Sequence, residues 1–152
     1  MTKTLEPLAL LAASLWVGGL WAVGFIAAPT LFTLLVDKSL AGLLVGRMFS
    51  ITAYLGLMCG TLLLANGFAK YGLGAVKKLG FWVVVAMLVL SVIGHFGIAP
   101  LLAGLKSQPV AARIVDGVTA PRFAHWHGIA SALYVIQSAL GVALLLLTVR
   151  AK

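Results

Sequence analysis

Four stretches of the chain carry no Asp, Glu, Lys or Arg: Pro7 to Val36, Met48 to Ala69, Leu79 to Leu105 and Phe123 to Val149. Each exceeds the ~20 apolar residues that a helix needs to cross a ~30 Å hydrocarbon core. A closed β-barrel is the other way to span a bilayer, and its strands alternate apolar and polar residues. Runs such as Leu144-Leu145-Leu146-Leu147 and Val83-Val84-Val85 do not alternate. The pattern therefore predicts an all-α integral membrane protein, a four-transmembrane-helix bundle. Residues 1–152 read as one domain with spans of roughly 7–36, 48–69, 79–103 and 122–149.

Local signals refine the threading. Thr4, Glu6 and Pro7 suit a helix start, and Pro29 inside the first run predicts a kink or break near Ala27 to Thr30. Ser39 to Arg47 reads as a separate short interfacial turn of helix ahead of the second span. Tyr71, Gly72 and Gly74 break the pattern before Lys77 and Lys78, and Pro100 marks the end of the third span. The connection from Lys106 to Arg122, with Pro109, Gly117 and Pro121, has room for one short amphipathic helix but not for a second core. A signal peptide does not explain the first run, which far exceeds a ~7–15-residue signal core.

Composition agrees. With 62% hydrophobic and 9% charged residues, and a mean hydropathy of +1.15, the chain lacks the polar surface of a water-soluble globule. The net charge of +8 flanks the spans on both sides, which points to anionic lipid headgroups and not to nucleic acid. Lys3, Lys70, Lys77, Lys78, Arg150 and Lys152 fall on the side of both termini, against Lys38, Arg47, Lys106, Arg113 and Arg122 on the other. That small excess, with the tight Lys70, Lys77, Lys78 cluster, favours cytoplasmic termini in the bacterial inner membrane.

Polar residues inside spans are costly and usually face the bundle or a cavity. All three acids, Glu6, Asp37 and Asp116, lie at span borders or in the long loop. No mid-membrane carboxylate is therefore present to couple transport to protons or sodium. His95 lies in the third span, and His125 and His127 open the fourth. Measured from Pro100 and Pro121, His95 and His127 come to similar depth and could share a haem or metal ion. His125 and His127, two apart, point ~200° away from each other. The competing reading is a plain interhelical hydrogen bond from His127, and no carboxylate or thiolate completes a ligand set.

Gly128, Ser131, Tyr134, Ser138 and Gly141 form one small, polar stripe on the fourth span, with Gln137 beside it and Ser91 and His95 as a matching edge on the third. The ordinary meaning of such a stripe is close helix packing. Gly56 and Gly60 give a G-x-x-x-G pair in the second span, a dimer or bundle signal, and Gly24 with Ala28 repeats the spacing in the first. Trp16, Trp21, Trp82 and Trp126 divide between anchors and core fillers, with Trp82 and Trp126 the better anchors. Cys59 is alone and mid-span, and therefore inert.

The stretch Gly18-Gly19-Leu20-Trp21-Ala22-Val23-Gly24-Phe25-Ile26-Ala27-Ala28-Pro29-Thr30-Leu31-Phe32, with Ala41-Gly42, Gly46-Arg47-Met48-Phe49 and Phe123-Ala124-His125-Trp126-His127-Gly128-Ile129-Ala130-Ser131, resembles the bacterial domain-of-unknown-function 4149 family. Eukaryotic transmembrane protein 205 resembles the same pattern. The resemblance implies a four-helix membrane protein without an established activity, and it draws attention to His127, Gly128, Ser131, Pro29 and Phe32.

The function expected from sequence is that of a small, non-enzymatic inner-membrane protein. It would be an accessory or assembly component, either homo-oligomeric or bound to another membrane protein. One alternative is a haem or metal site at His127, with His95 as second ligand. Another is a small-solute transporter or channel along Ser131, Tyr134 and Ser138.

Overall fold

The computed structural model describes residues 5–106 and 119–150. Four helical rods long and apolar enough to cross a membrane run over Glu6–Leu34, Lys38–Lys77, Leu79–Leu105 and Pro121–Arg150, and the described residues contain no strand. The helices are α1 (Leu5–Trp21), α2 (Ala28–Leu34), α3 (Lys38–Tyr71), α4 (Leu79–Val92), α5 (Ala99–Lys106) and α6 (Thr119–Arg150). The rods alternate in direction, so the chain enters and leaves on one face of the membrane. α1 and α4 each pack against both α3 and α6 and stand diagonal to one another. The proposed short helix in the third loop lies outside the described residues.

Pro29 does not break the first rod. The ladder widens to a π-helical turn over Ala22–Ala27, where the Ala28 amide reaches back to the Val23 carbonyl, and α2 then continues with helical dihedrals to Leu34. Pro100 is absorbed the same way: a wide turn over Ile93–Ile98, an Ala99 amide bonded to Gly94 O, then α5. A proline ring collides with the carbonyl of residue i−4, and a shift of the ladder just before it moves that carbonyl out of the way while the helix continues. Pro100 therefore does not end the third span, contrary to the sequence expectation.

Ser39 to Arg47 is likewise not a separate interfacial element. It forms the first turns of α3, whose start is fixed by the Asp37 carboxylate accepting from the amides of Ser39 (2.8 Å) and Leu40 (3.1 Å). On the far side, Lys38 Nζ donates to Phe32 O and Leu35 O and so closes the last turn of α2. At the terminal face, Glu6 pairs with Lys70 across the first and second rods, and Trp82 donates to Val76 O (2.9 Å), pinning the Gly72–Lys77 turn.

The core gathers Ala12, Ala13, Trp16 and Leu20 from α1, Cys59 from α3, Val83, Val84 and Met87 from α4, and Leu144 from α6. Trp16 and Met87 are its largest fully buried side chains. Each stands thirteen residues before the proline of its rod, and buried Ala12, Ala13 and Leu20 correspond in the same way to buried Val83, Val84 and Ser91. The two diagonal rods thus repeat one another in burial, wide turn and proline, around an approximate two-fold axis along the bundle.

Gly56 and Gly60 serve this core. A methyl group at either position would overlap the Trp16 indole, and at Gly60 also Leu88. The G-x-x-x-G pair is therefore an internal seat for Trp16, and α3 does not offer it to a second copy. Among the described residues the Trp16 indole N–H finds no hydrogen-bond partner, so the ring is retained for its volume. Trp16→Phe removes the unpaired N–H but empties part of the seat and is expected to cost about 1–2 kcal/mol, whereas Gly56→Val should cost about 1–3 kcal/mol by overpacking. Unfolding of the detergent-solubilised protein in SDS, followed by circular dichroism, measures both.

Candidate functional site

The two wide turns are the irregular backbone of the bundle, and such turns inside α-helices recur at functional sites. Both lie on the membrane side away from the termini, and each faces a tyrosine from the neighbouring rod. At the first, Gly24 has no side chain, and the Tyr134 ring fills the space where a Cβ would stand. Its hydroxyl donates to Leu20 O (2.5 Å), immediately ahead of the turn. Phe25 and Phe49 enclose the ring at 6.4 and 5.1 Å between centroids, and Trp21 reaches across to Ser138 O (3.4 Å).

At the second wide turn the equivalent of Gly24, five residues before the proline, is His95. Its imidazole takes up the space that Gly24 leaves open, so Tyr54 meets it edge-on at 4.8 Å and stays 53% exposed instead of entering the turn. Phe96, the counterpart of Phe25, packs against both. One half of the repeat is therefore closed and internally bonded, and the other opens sideways.

Between α4 and α6 the buried Gln137 amide donates to Ser91 Oγ (2.7 Å). In an antiparallel pair this bond sets the register: His95, one turn past Ser91, lies level with Leu133. His127 is six residues further along α6, ~9 Å away along the axis at 1.5 Å per residue. The rings also have different partners, with His127 stacked on Phe123 at 5.7 Å and His125 meeting Trp126 at 6.2 Å. The structure does not bring His95 and His127 together. The prolines misled because neither ends its helix: α5 runs past Pro100 to Lys106, and α6 begins at Thr119, before Pro121. Among the described residues no three His, Cys, Asp or Glu side chains cluster.

The stripe on α6 divides. Tyr134, Ser138 and Gly141 meet the first rod, where Val17 packs directly over Gly141, and Ser138 Oγ returns to Tyr134 O. Gly128 has open space beside it, and Ser131 is exposed and bonded to His127 O on its own helix. Sequence reasoning noted Gly24 only for its spacing to Ala28. The signal for its real contact was the shared motif Gly-Phe-Ile-Ala-Ala-Pro at Gly24 to Pro29 and Phe-Gly-Ile-Ala-Pro at Phe96 to Pro100.

A protein-family model described as Domain of unknown function (DUF4149) matches residues 11–111. The chain belongs to this family. The family match takes in most of the first rod, the second and third rods and both wide turns, and stops before the His127, Gly128, Ser131 element. No curated protein and no solved structure matches the chain.

Tyr134→Phe removes one interhelical bond and is expected to cost ~0.6 kcal/mol, with ~1.7 kcal/mol as the upper end. Gly24→Ala drives a methyl group into the same ring and should cost about 1–3 kcal/mol. If both variants unfold at the wild-type SDS concentration, Tyr134 is not seated in the turn as described.

Proposed function

We propose that this multi-pass membrane protein is a non-enzymatic accessory or assembly component of the bacterial inner membrane, with both termini cytoplasmic, acting through association with a second copy or another membrane protein. One observation carries this reading: the mid-span polar groups of the fourth rod are spent on the bundle itself. Gln137 bonds Ser91, Tyr134 bonds Leu20 O and Ser138 bonds its own helix. A conduction path or reaction centre would need those groups turned towards a cavity.

With Gly56 and Gly60 covered by Trp16, association needs another face. Ser14, Gly18 and Ala22 follow one another at four-residue spacing along the first rod and are all exposed, and Ser14 and Gly18 line a shallow hollow with Val142 and Leu145 of α6. Small residues at this spacing let helix backbones approach closely in lipid. Gly18→Cys is expected to give a disulfide-linked dimer on mild oxidation of isolated membranes. Wild type is the blank, because its single thiol, Cys59, is buried. Absence of the linked dimer, together with a single-copy mass in detergent and no co-purifying membrane protein, would refute the reading.

The haem or metal alternative at His127 has no specific support in the arrangement of the rods, since His95 is offset from it. The purified protein is expected to lack a Soret band. A band diminished in both His95→Ala and His127→Ala would reinstate that alternative.

A further inference from the structure

Polar atoms that the bundle does not use stand beside the second wide turn. Hydroxyls elsewhere in the spans, such as those of Thr52, Thr61 and Thr148, donate to a carbonyl one turn back. A tyrosine cannot reach its own helix in this way. The Tyr54 hydroxyl and the His95 imidazole have no hydrogen-bond partner among the described residues, and they sit edge to face with Phe96 against them.

The same face of α3 carries Arg47 seven residues earlier, two helical turns and ~10 Å nearer the membrane surface on the side away from the termini. Arg47 is exposed and without a partner among the described residues. Ile51 stands between Arg47 and Tyr54, Met58 follows one turn deeper, and both are exposed. Side chains on a helix lean towards its N-terminus, which turns Tyr54 towards Arg47. Along the strip the order is therefore a cation at the surface, then two hydrogen-bonding groups, then apolar side chains.

We propose that this strip is a binding site for an anionic diacyl phospholipid. The Arg47 guanidinium holds the phosphate, for which its planar fork is suited. The Tyr54 hydroxyl and a His95 ring N–H donate to the ester carbonyl oxygens on the acyl side of the phosphate, the flexible Arg47 side chain taking up the remaining rise along the helix. The acyl chains lie over Ile51, Met58 and Phe96. The first wide turn takes no such ligand, because Gly24 admits Tyr134 and its hydroxyl is spent on Leu20 O. The site stands independently of the association proposed above, since it lies on α3 and the second wide turn and not on the Ser14, Gly18, Ala22 face.

Native mass spectrometry of the full chain, released from micelles containing equal dioleoyl phosphatidylglycerol and dioleoyl phosphatidylcholine, tests this. Wild type is expected to retain one phosphatidylglycerol in preference to phosphatidylcholine. Arg47→Gln should lower that preference about tenfold, and Tyr54→Phe about threefold. Both positions are exposed, and a wild-type SDS unfolding profile establishes that the variants fold. Lys78→Gln, at the opposite face, should leave retention within twofold. The site is refuted if phosphatidylcholine is retained equally by wild type, if Arg47→Gln and Tyr54→Phe together leave retention unchanged, or if Lys78→Gln weakens it as much as Arg47→Gln does.

Discussion

The hydrocarbon core supplies no water to satisfy a stray amide or carbonyl, so every backbone group within a span needs a partner in the protein. Pro29 and Pro100 put that constraint under the greatest strain, because each removes a donor and obstructs an acceptor one turn behind it. Both rods answer by widening the ladder immediately before the proline. Much else follows from that response. The rods continue past their prolines, and the third rod runs to Leu105 and does not stop at Pro100.

The same economy governs side chains. In water, burying Gln137 would exchange one set of hydrogen bonds for another, whereas in lipid its alternative is an unsatisfied amide, so pairing with Ser91 also locks the sliding position of two helices. Trp16 shows the opposite limit. Its indole N–H has no partner among the described residues, and the fit of the ring over Gly56 and Gly60 has to outweigh that loss through dispersion contacts.

The spans were legible because charge-free runs have only one inexpensive environment. Their ends were less so, since Ser39 to Arg47 is small and apolar enough to lie at the interface or to extend a helix, and only the Asp37 cap decides for the helix. The polar residues worth examining were legible too, including Ser91, His95, Tyr134, Gln137 and Ser138. Their pairings were not. A G-x-x-x-G spacing tells that something approaches closely, but not whether it is Trp16 of the same chain or a helix of another. Likewise, a proline tells that the ladder must change, but a kink, a break and a wide turn all satisfy its ring.

The internal repeat gives the His95 region its meaning. If the two halves were held to one design by packing alone, the position five residues before Pro100 would be expected to be as small as Gly24, and Tyr54 would sit over the third rod as Tyr134 sits over the first. Instead an imidazole occupies it, Tyr54 is turned outward, and two groups that could have closed on the backbone are left facing lipid. Packing does not require this departure, because the first half shows that the closed arrangement fits the same turn and the same proline. The proposed lipid site gives the departure a use, because the bilayer then supplies the acceptors that the bundle does not. Arg47 on the same face is what gives that proposal its anionic headgroup, with carbonyl oxygens beneath it.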